Sequence, residues 1–286
     1  MASGRRVAAI GMLVSGLLAL IKIIAGLAGH STAVVADGLE STADVFASGF
    51  VLLGLTLAAT PPDADHPYGH GRVEILTGLL IGLILTAGGS LISYGSIMRV
   101  GQVQTMVAGF VIWPLLISLA AKASLATFKF RTGARLGSAA LTADAWNDTM
   151  DTLSATAALT AVGLTLFDPG RFPDADQYGG FVVGLIVVFT GLRVSYDTAM
   201  QLIDTMPSER LMIQIRGVAA SVPGVRGVEK CFARKTGLRY HVDLHLEVDP
   251  EMTVRHSHEI AQAVREHVKE RLSWVADVLV HVEPAP

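Results

Sequence analysis

Two segments of the sequence carry the same spacing of carboxylate and amide side chains. They are residues 36–44 (ADGLESTAD) and residues 143–151 (ADAWNDTMD), and the second segment follows the first at an offset of 107 positions. At about 100° per residue, positions i, i+3 and i+7 of a helix lie within about 60° of one another. Each segment therefore predicts one polar helix face. The residues on the two faces are Asp37, Glu40, Asp44, Asp144, Asn147 and Asp151.

A divalent cation held between the two faces would account for these side chains. Both segments lie in strongly apolar surroundings, where a carboxylate costs about 3 kcal/mol at the centre of a bilayer. Two oxygen donors from each helix, at positions i and i+4, can surround one ion. The predicted ligands are Glu40, Asp44, Asn147 and Asp151, with Asp37 and Asp144 one turn away as supporting groups.

An alternative interpretation needs no metal. In that case the acids hydrogen-bond Lys22, Lys122 or helix ends and only hold the helices together. The repetition of the whole pattern favours the metal site, because structural need alone does not explain it.

The elements that must position these faces are apolar helices. Six stretches are long enough to cross about 30 Å of hydrocarbon. They lie near residues 6–28, 32–58, 74–97, 107–129, 137–166 and 178–201. Residues 1–207 hold 25 of the 47 Asp, Glu, Lys and Arg side chains, and the last 79 residues hold the other 22. We therefore predict a transmembrane domain at 1–206 and a water-exposed domain at 207–286.

The distribution of basic residues predicts the orientation in the membrane. The N-terminus and the loops at 59–73 and 129–136 contain six Lys and Arg residues, against two in the opposite loops. Basic residues concentrate on the cytoplasmic side, so both termini are expected in the cytoplasm. The protein is thus expected to be a multi-pass protein of the cytoplasmic membrane, embedded in the lipid bilayer.

Composition excludes several function classes. The net charge of −3 argues against a nucleic-acid partner. The single cysteine, Cys231, excludes a disulfide framework. Neither the phosphate-binding GxxxxGK[ST] motif nor GxGxxG occurs, which argues against an ATP-driven pump. We expect a protein that is not an enzyme and that uses no organic cofactor.

The C-terminal segment has the pattern of a small mixed domain. Helical periodicity at 208–221 and 254–271 alternates with strand patterns at 227–234, 239–247 and 277–283. The order α-β-β-α-β predicts a two-layer α+β domain. About 80 residues bury little core by themselves, so a partner is expected.

With these features the chain resembles the cation diffusion facilitator family, whose members exchange cytoplasmic divalent metal for protons. The resemblance rests on six spans, the paired acidic motifs, the α-β-β-α-β tail and the stretch at residues 66–74 (HPYGHGRVE). It implies an all-α six-helix transmembrane bundle with a metallochaperone-like cytoplasmic α+β domain. It also implies a homodimer and alternating access around the site on the second and fifth spans.

The resemblance implies further sites. A second metal site in the loop before the third span would use Asp63, His66 and His70, and Arg72 would pair with Asp204 where the membrane part meets the tail. A regulatory metal site in the tail would use the positions occupied by Glu229, His245, His258, His281 and Glu283.

The transmembrane site departs from the zinc-transporting members of that family, which commonly have His where this chain has Asn147. All four predicted ligands offer oxygen, which favours Mn²⁺ or Fe²⁺ over Zn²⁺ or Co²⁺. Without an imidazole, the exchanged proton must bind a carboxylate. Three alternatives stay open: a zinc or cobalt exporter of the same family, a metal-sensing membrane protein without transport, and a passive channel.

Overall fold

The structure is a computed structural model. It describes the backbone of residues 2–57, 63–102, 106–136, 139–237 and 239–286. Within these ranges the side chains at 2–12, 14, 43–44, 47–57, 132–136, 139–147 and 150 are outside the described residues. The side chains of Asp44, Asp144 and Asn147 are among them. The chain forms two compact units, Met1–Gly49 with Leu80–Ser195, and Phe50–Leu79 with Tyr196–Pro286.

The described part of the membrane domain contains six helices of 25 to 29 residues. They are α1 (Ala2–Ala28), α2 (Thr32–Leu57), α3 (Gly71–Arg99), α4 (Ile112–Leu136), α5 (Ala139–Phe167) and α6 (Ala175–Leu202). Among the described residues, three segments are long and apolar enough to cross a membrane: Gly71–Arg99, Gly109–Arg131 and Ala175–Leu202. The expected helical transmembrane fold is confirmed, and the two acidic segments lie on α2 and α5.

Small residues let α3 and α6 approach closely. A Cβ atom added at Gly82 would lie 2.7 Å from the backbone nitrogen of Ser195, and one at Gly191 would lie 2.6 Å from that of Thr86. Such distances exclude any larger residue without a shift of backbone. Close packing through glycine is the usual means of joining membrane helices, since lipid supplies no hydrophobic drive for their association.

A fully buried carboxylate joins the starts of α2 and α6. Asp176 accepts hydrogen bonds from the hydroxyl of Ser31 at 2.5 Å and from the backbone N–H of Thr32 at 2.7 Å. Its own backbone N–H donates to the Thr165 hydroxyl near the end of α5. The first N–H groups of a helix have no partner within the helix, so Asp176 caps α2 from a different helix.

The C-terminal segment folds as the sequence predicts. Helix α7 (Glu209–Ala220) is followed by β1 (Gly227–Thr236), β2 (Arg239–Val248), α8 (Val254–Arg271) and β3 (Val275–Pro284). In the described residues these strands form one sheet of order β1-β2-β3, antiparallel between β1 and β2 and parallel between β2 and β3. Buried side chains such as Ile215, Leu244 and Val264 form the core between the sheet and the two helices.

Replacing Asp176 should destabilise the compact unit that consists of Met1–Gly49 and Leu80–Ser195. In Asp176→Ala the Ser31 hydroxyl and the Thr32 N–H lose a charged acceptor, and such bonds contribute about 1.5–3 kcal/mol each. We expect a clearly lower midpoint of thermal unfolding for the purified protein in detergent. Asp168→Ala is the control, because Asp168 accepts hydrogen bonds from the backbone N–H groups of Gly170 and Arg171 in its own turn. Equal midpoints for the two variants would contradict the bridging role.

Candidate functional site

Of the acidic side chains predicted on the two membrane-helix faces, three are described, and all three are buried. Asp37, Glu40 and Asp151 expose 2%, 6% and 8% of their surface. Regular helix geometry places Asp37 and Glu40 on one face of α2, as the spacing predicts. The described half of the predicted donor set is therefore Glu40 and Asp151, while the side chains of Asp44 and Asn147 lie outside the described residues.

On α2, the acid that was predicted to support the metal site contacts a lysine. The Nζ atom of Lys22 on α1 donates to Asp37 Oδ2 at 2.7 Å and to the hydroxyl of Ser41 at 2.6 Å. Lys22 is 1% exposed, so both charges of the pair are removed from solvent. A charged group in a membrane helix is expected to pair in this way.

On α5, two acids contact lysines of α4. Lys122 Nζ donates to Asp151 Oδ2 at 2.6 Å, and Lys129 Nζ lies 2.6 Å from Asp148 Oδ2. Among the described residues, the pairs formed by Lys22 and Lys122 are of the kind named in the alternative interpretation, and Lys129–Asp148 is a further such pair. Asp148 was missed by the sequence analysis, because the position 107 residues earlier is Ser41 and the repeat therefore does not include it.

The loop before α3 brings its three predicted residues together. Asp63 Oδ1 lies 3.1 Å from His66 Nδ1, and Asp63 Oδ2 lies 3.4 Å from His70 Nε2. One ligand atom from each side chain can fall within 4.8 Å of the others, which suits a single ion. The backbone N–H of His66 donates a hydrogen bond to Asp63 at 2.6 Å. This hydrogen bond is the main reason why the pKa of the Asp63 carboxyl is lowered. The aspartate is therefore ionised and ready to bind a cation at neutral pH.

The same loop contacts the β-sheet, which belongs to the same compact unit. The ring of Tyr68 lies edge-on to His241 on β2 with centroids 5.7 Å apart, and the guanidinium of Arg234 on β1 lies 5.4 Å from the Tyr68 centroid. Burial, with the nearby charge of Arg234, lowers the pKa of His241, so that its imidazole is neutral at neutral pH. A neutral ring tolerates the adjacent guanidinium.

Arg72 and Asp204 also contact each other. Arg72 Nη2 donates to Asp204 Oδ1 at 2.9 Å, with both side chains partly exposed. The backbone of Asp204 has φ 59°, in the left-handed region just after α6. The predicted pairing is therefore present as a surface ion pair that joins the start of α3 to the end of α6.

In the tail, strand pairing assembles part of the predicted metal site. Parallel pairing places His245 of β2 opposite His281 of β3, with ring centroids 5.0 Å apart. Glu283 Oε1 lies 2.6 Å from His245 Nδ1 and 3.5 Å from His281 Nε2. Hydrogen bonds with Glu229 and then with His245 lower the pKa of Glu283, which keeps it ionised.

Two predicted tail residues are not members of this three-residue cluster, although Glu229 hydrogen-bonds Glu283. Among the described residues, the tail group able to hold one ion consists of His245, His281 and Glu283. Glu229 lies at a bulge in β1, where the register shifts between Val228 and Lys230. His258 lies on α8, with its Nε2 3.1 Å from the side-chain nitrogen of Gln262.

Known proteins match the chain over nearly its whole length. A family model described as the cation efflux transmembrane domain matches residues 8–203, and one described as the cytoplasmic domain of cation efflux proteins matches residues 207–285. The manganese efflux system protein MneP of Bacillus subtilis is 29% identical over 284 residues, which cover 98% of this chain and 96% of MneP.

Two further relatives extend this comparison. An uncharacterized transporter of Methanocaldococcus jannaschii is 33% identical over 279 residues, covering 93% of each chain. A solved MamM CTD structure is 36% identical and covers 27% of this chain and 98% of its own, with a TM-score of 0.27. The match of the transmembrane family model to more than half of the chain shows that the protein belongs to the cation diffusion facilitator family of metal efflux transporters and is not an enzyme.

Proposed function

We propose that the protein exports Mn²⁺ or Fe²⁺ from the cytoplasm in exchange for protons, through a site formed by Glu40, Asp44, Asn147 and Asp151. The observation that carries this proposal is the burial of Glu40 and Asp151 on two membrane helices, at positions where the sequence repeats its acidic pattern. Ionisable side chains within membrane helices are rare and costly, and they typically mark ion pathways and proton relays.

The chemistry of the donor set supports the choice of metal. Carboxylate and amide oxygens suit Mn²⁺, whereas imidazole nitrogen and thiolate sulfur suit Zn²⁺, Co²⁺ and Ni²⁺. The four proposed ligands include no imidazole or thiolate group that would favour the second group. The similarity to MneP, which is named as a manganese efflux protein, agrees with this choice.

Proton exchange follows from the same donor set. Three carboxylates exceed the charge of one divalent ion, and like charges held close together in a site of low dielectric constant favour the uptake of a proton. A proton that binds one carboxylate removes a ligand from the metal ion and lowers the affinity of the site for the metal. Protons on one side of the membrane thereby drive metal release there.

The remaining parts of the proposal concern assembly and regulation. The protein is a homodimer in the cytoplasmic membrane with both termini in the cytoplasm, and its transmembrane domain ends near residue 206. The loop cluster of Asp63, His66 and His70 binds metal, and so does the tail cluster of His245, His281 and Glu283. A metal ion bound between the two tails would bring them together and bias the transport cycle, as ligands do in other two-state switches.

Metal flux tests the transport site directly. Purified protein in liposomes should take up Mn²⁺ or Fe²⁺ when a proton gradient is imposed, and Asp151→Ala should lower the initial rate at least about tenfold, because an ion ligand is lost. Asp148→Ala is the matched control, since Asp148 is buried on the same helix outside the donor set. Flux that ignores the gradient would contradict proton exchange, and an equal loss in both variants would contradict the donor set.

Asn147→His tests the origin of metal selectivity. An imidazole in place of the amide should raise the ratio of Zn²⁺ to Mn²⁺ transport by about tenfold, because nitrogen donors favour zinc. The control is Asn147→Asp, which keeps an oxygen donor and should keep the preference for manganese. Unchanged selectivity in Asn147→His, with comparable transport of zinc and manganese by the native protein, would remove the basis for the proposed metal.

The tail site can be tested separately. In an Asp151→Ala background, Zn²⁺ binding to the full chain is measured by calorimetry with and without Glu283→Ala. Loss of the carboxylate that lies between two imidazoles should weaken tail binding by about 10–100-fold. Glu266→Ala on the exposed side of α8 is the control. If Glu283→Ala leaves zinc binding unchanged, the cluster is not a metal site.

A further inference from the structure

Helix α4 presents two lysines to α5, and each forms an ion pair of the same length with an α5 aspartate. Lys122 and Lys129 are seven positions apart in the sequence of α4. The Nζ atom of each lies 2.6 Å from the Oδ2 atom of an aspartate on α5. All four side chains are mostly buried. Asp151 belongs to the proposed donor set, whereas Asp148 does not.

A buried ammonium at this distance competes with a metal ion. Asp151 Oδ2 accepts a short, charge-assisted hydrogen bond from Lys122, and the same carboxylate is needed as a ligand of the transported ion. A divalent ion that coordinates Asp151 would lie within a few ångströms of the ammonium, and two cations so close repel each other strongly in a site of low dielectric constant. The two cations therefore exclude each other at Asp151.

We propose that Lys122 is a tethered competing cation of the transport cycle: its ammonium neutralises Asp151 when the site is empty, and the incoming metal displaces it. This inference rests on the proposed transport site. Lys122 keeps its proton throughout, so that the exchange replaces one positive charge at Asp151 with the two charges of the metal. No proton transfer to or from Lys122 is involved.

Two consequences for transport follow from this arrangement. The empty carrier does not have to change conformation with an uncompensated carboxylate at Asp151, which would be costly inside a membrane. The return of Lys122 to Asp151 also assists metal release, because a ligand is occupied again as the ion leaves. The affinity for metal is thereby held below the value that the donor set alone would give.

The experiment measures Mn²⁺ binding to the detergent-purified full chain by following the signal of free Mn²⁺ in electron paramagnetic resonance. Lys122→Met removes the competing charge and keeps an unbranched side chain that is one atom shorter, so the dissociation constant should fall at least about fivefold, the lower range for coupled sites. In liposomes the same variant should show a lower KM together with a lower maximal rate, because release becomes slow. Lys122→Arg keeps the charge and should stay near the native affinity.

Lys129→Met is the matched control. It removes the same charge from the same helix and breaks a pair of the same length, but leaves Asp151 and Lys122 in place. Its affinity for Mn²⁺ should stay close to that of the native protein. An equal gain of affinity in Lys122→Met and Lys129→Met would reduce the effect to net charge and overturn the proposal.

Other outcomes separate this inference from the transport site itself. If Asp151→Ala binds Mn²⁺ as the native chain does, the donor set is wrong. If Asp151→Ala abolishes Mn²⁺ binding while Lys122→Met leaves the affinity for Mn²⁺ unchanged or lower, the donor set stands. The proposal that Lys122 is a tethered competing cation is then wrong. Should Lys122→Met fail to fold, Lys122→Gln takes its place, and failure of both would show that the pair is structural.

Discussion

A carboxylate in the apolar part of a membrane helix is stable only with compensating charge or hydrogen bonds beside it, and this constraint governs how α1, α2, α4 and α5 are joined. Lys22 on α1 binds Asp37 on α2, and Lys122 on α4 binds Asp151 on α5. Each acid-bearing helix is thus attached to the helix that precedes it in sequence. The charges that make the proposed site possible also fix the helices that carry it.

Asp176 satisfies the same constraint without a lysine. Its carboxylate is fully buried and accepts bonds from a hydroxyl and from the first N–H group of α2. Helix α2 is therefore held at its first turn by Asp176 and further along by Lys22. A binding site gains precision when the elements that carry it are fixed in this way, because little of the binding energy is then used to order them. Glycines on α3 and α6 serve a different purpose, since they permit close backbone contact.

The features that could be predicted from the sequence depend on neighbours along the chain. The membrane helices and the α-β-β-α-β tail follow from local periodicity, whereas the loop cluster at Asp63 was expected from the resemblance to a known family. The features that were missed depend on distant partners. Asp176 is bound by Ser31, 145 positions away, and no local pattern marks such a pair. His258 was assigned by resemblance alone, and the sheet register that unites His245 with His281 does not include a residue of α8.

Under the proposed mechanism, the structural and the transport interpretations of the acids describe two states of the same side chains. A transport site must bind its ion well enough to take it up and weakly enough to let it go. An ammonium attached to the neighbouring helix is always present at high effective concentration, so it competes even though it carries half the charge of the metal. Lys129 and Asp148 form a pair of equal length outside the donor set, where no ion has to be released. In this proposal, the position of Asp151, rather than the ion pair itself, therefore gives Lys122 its part in transport.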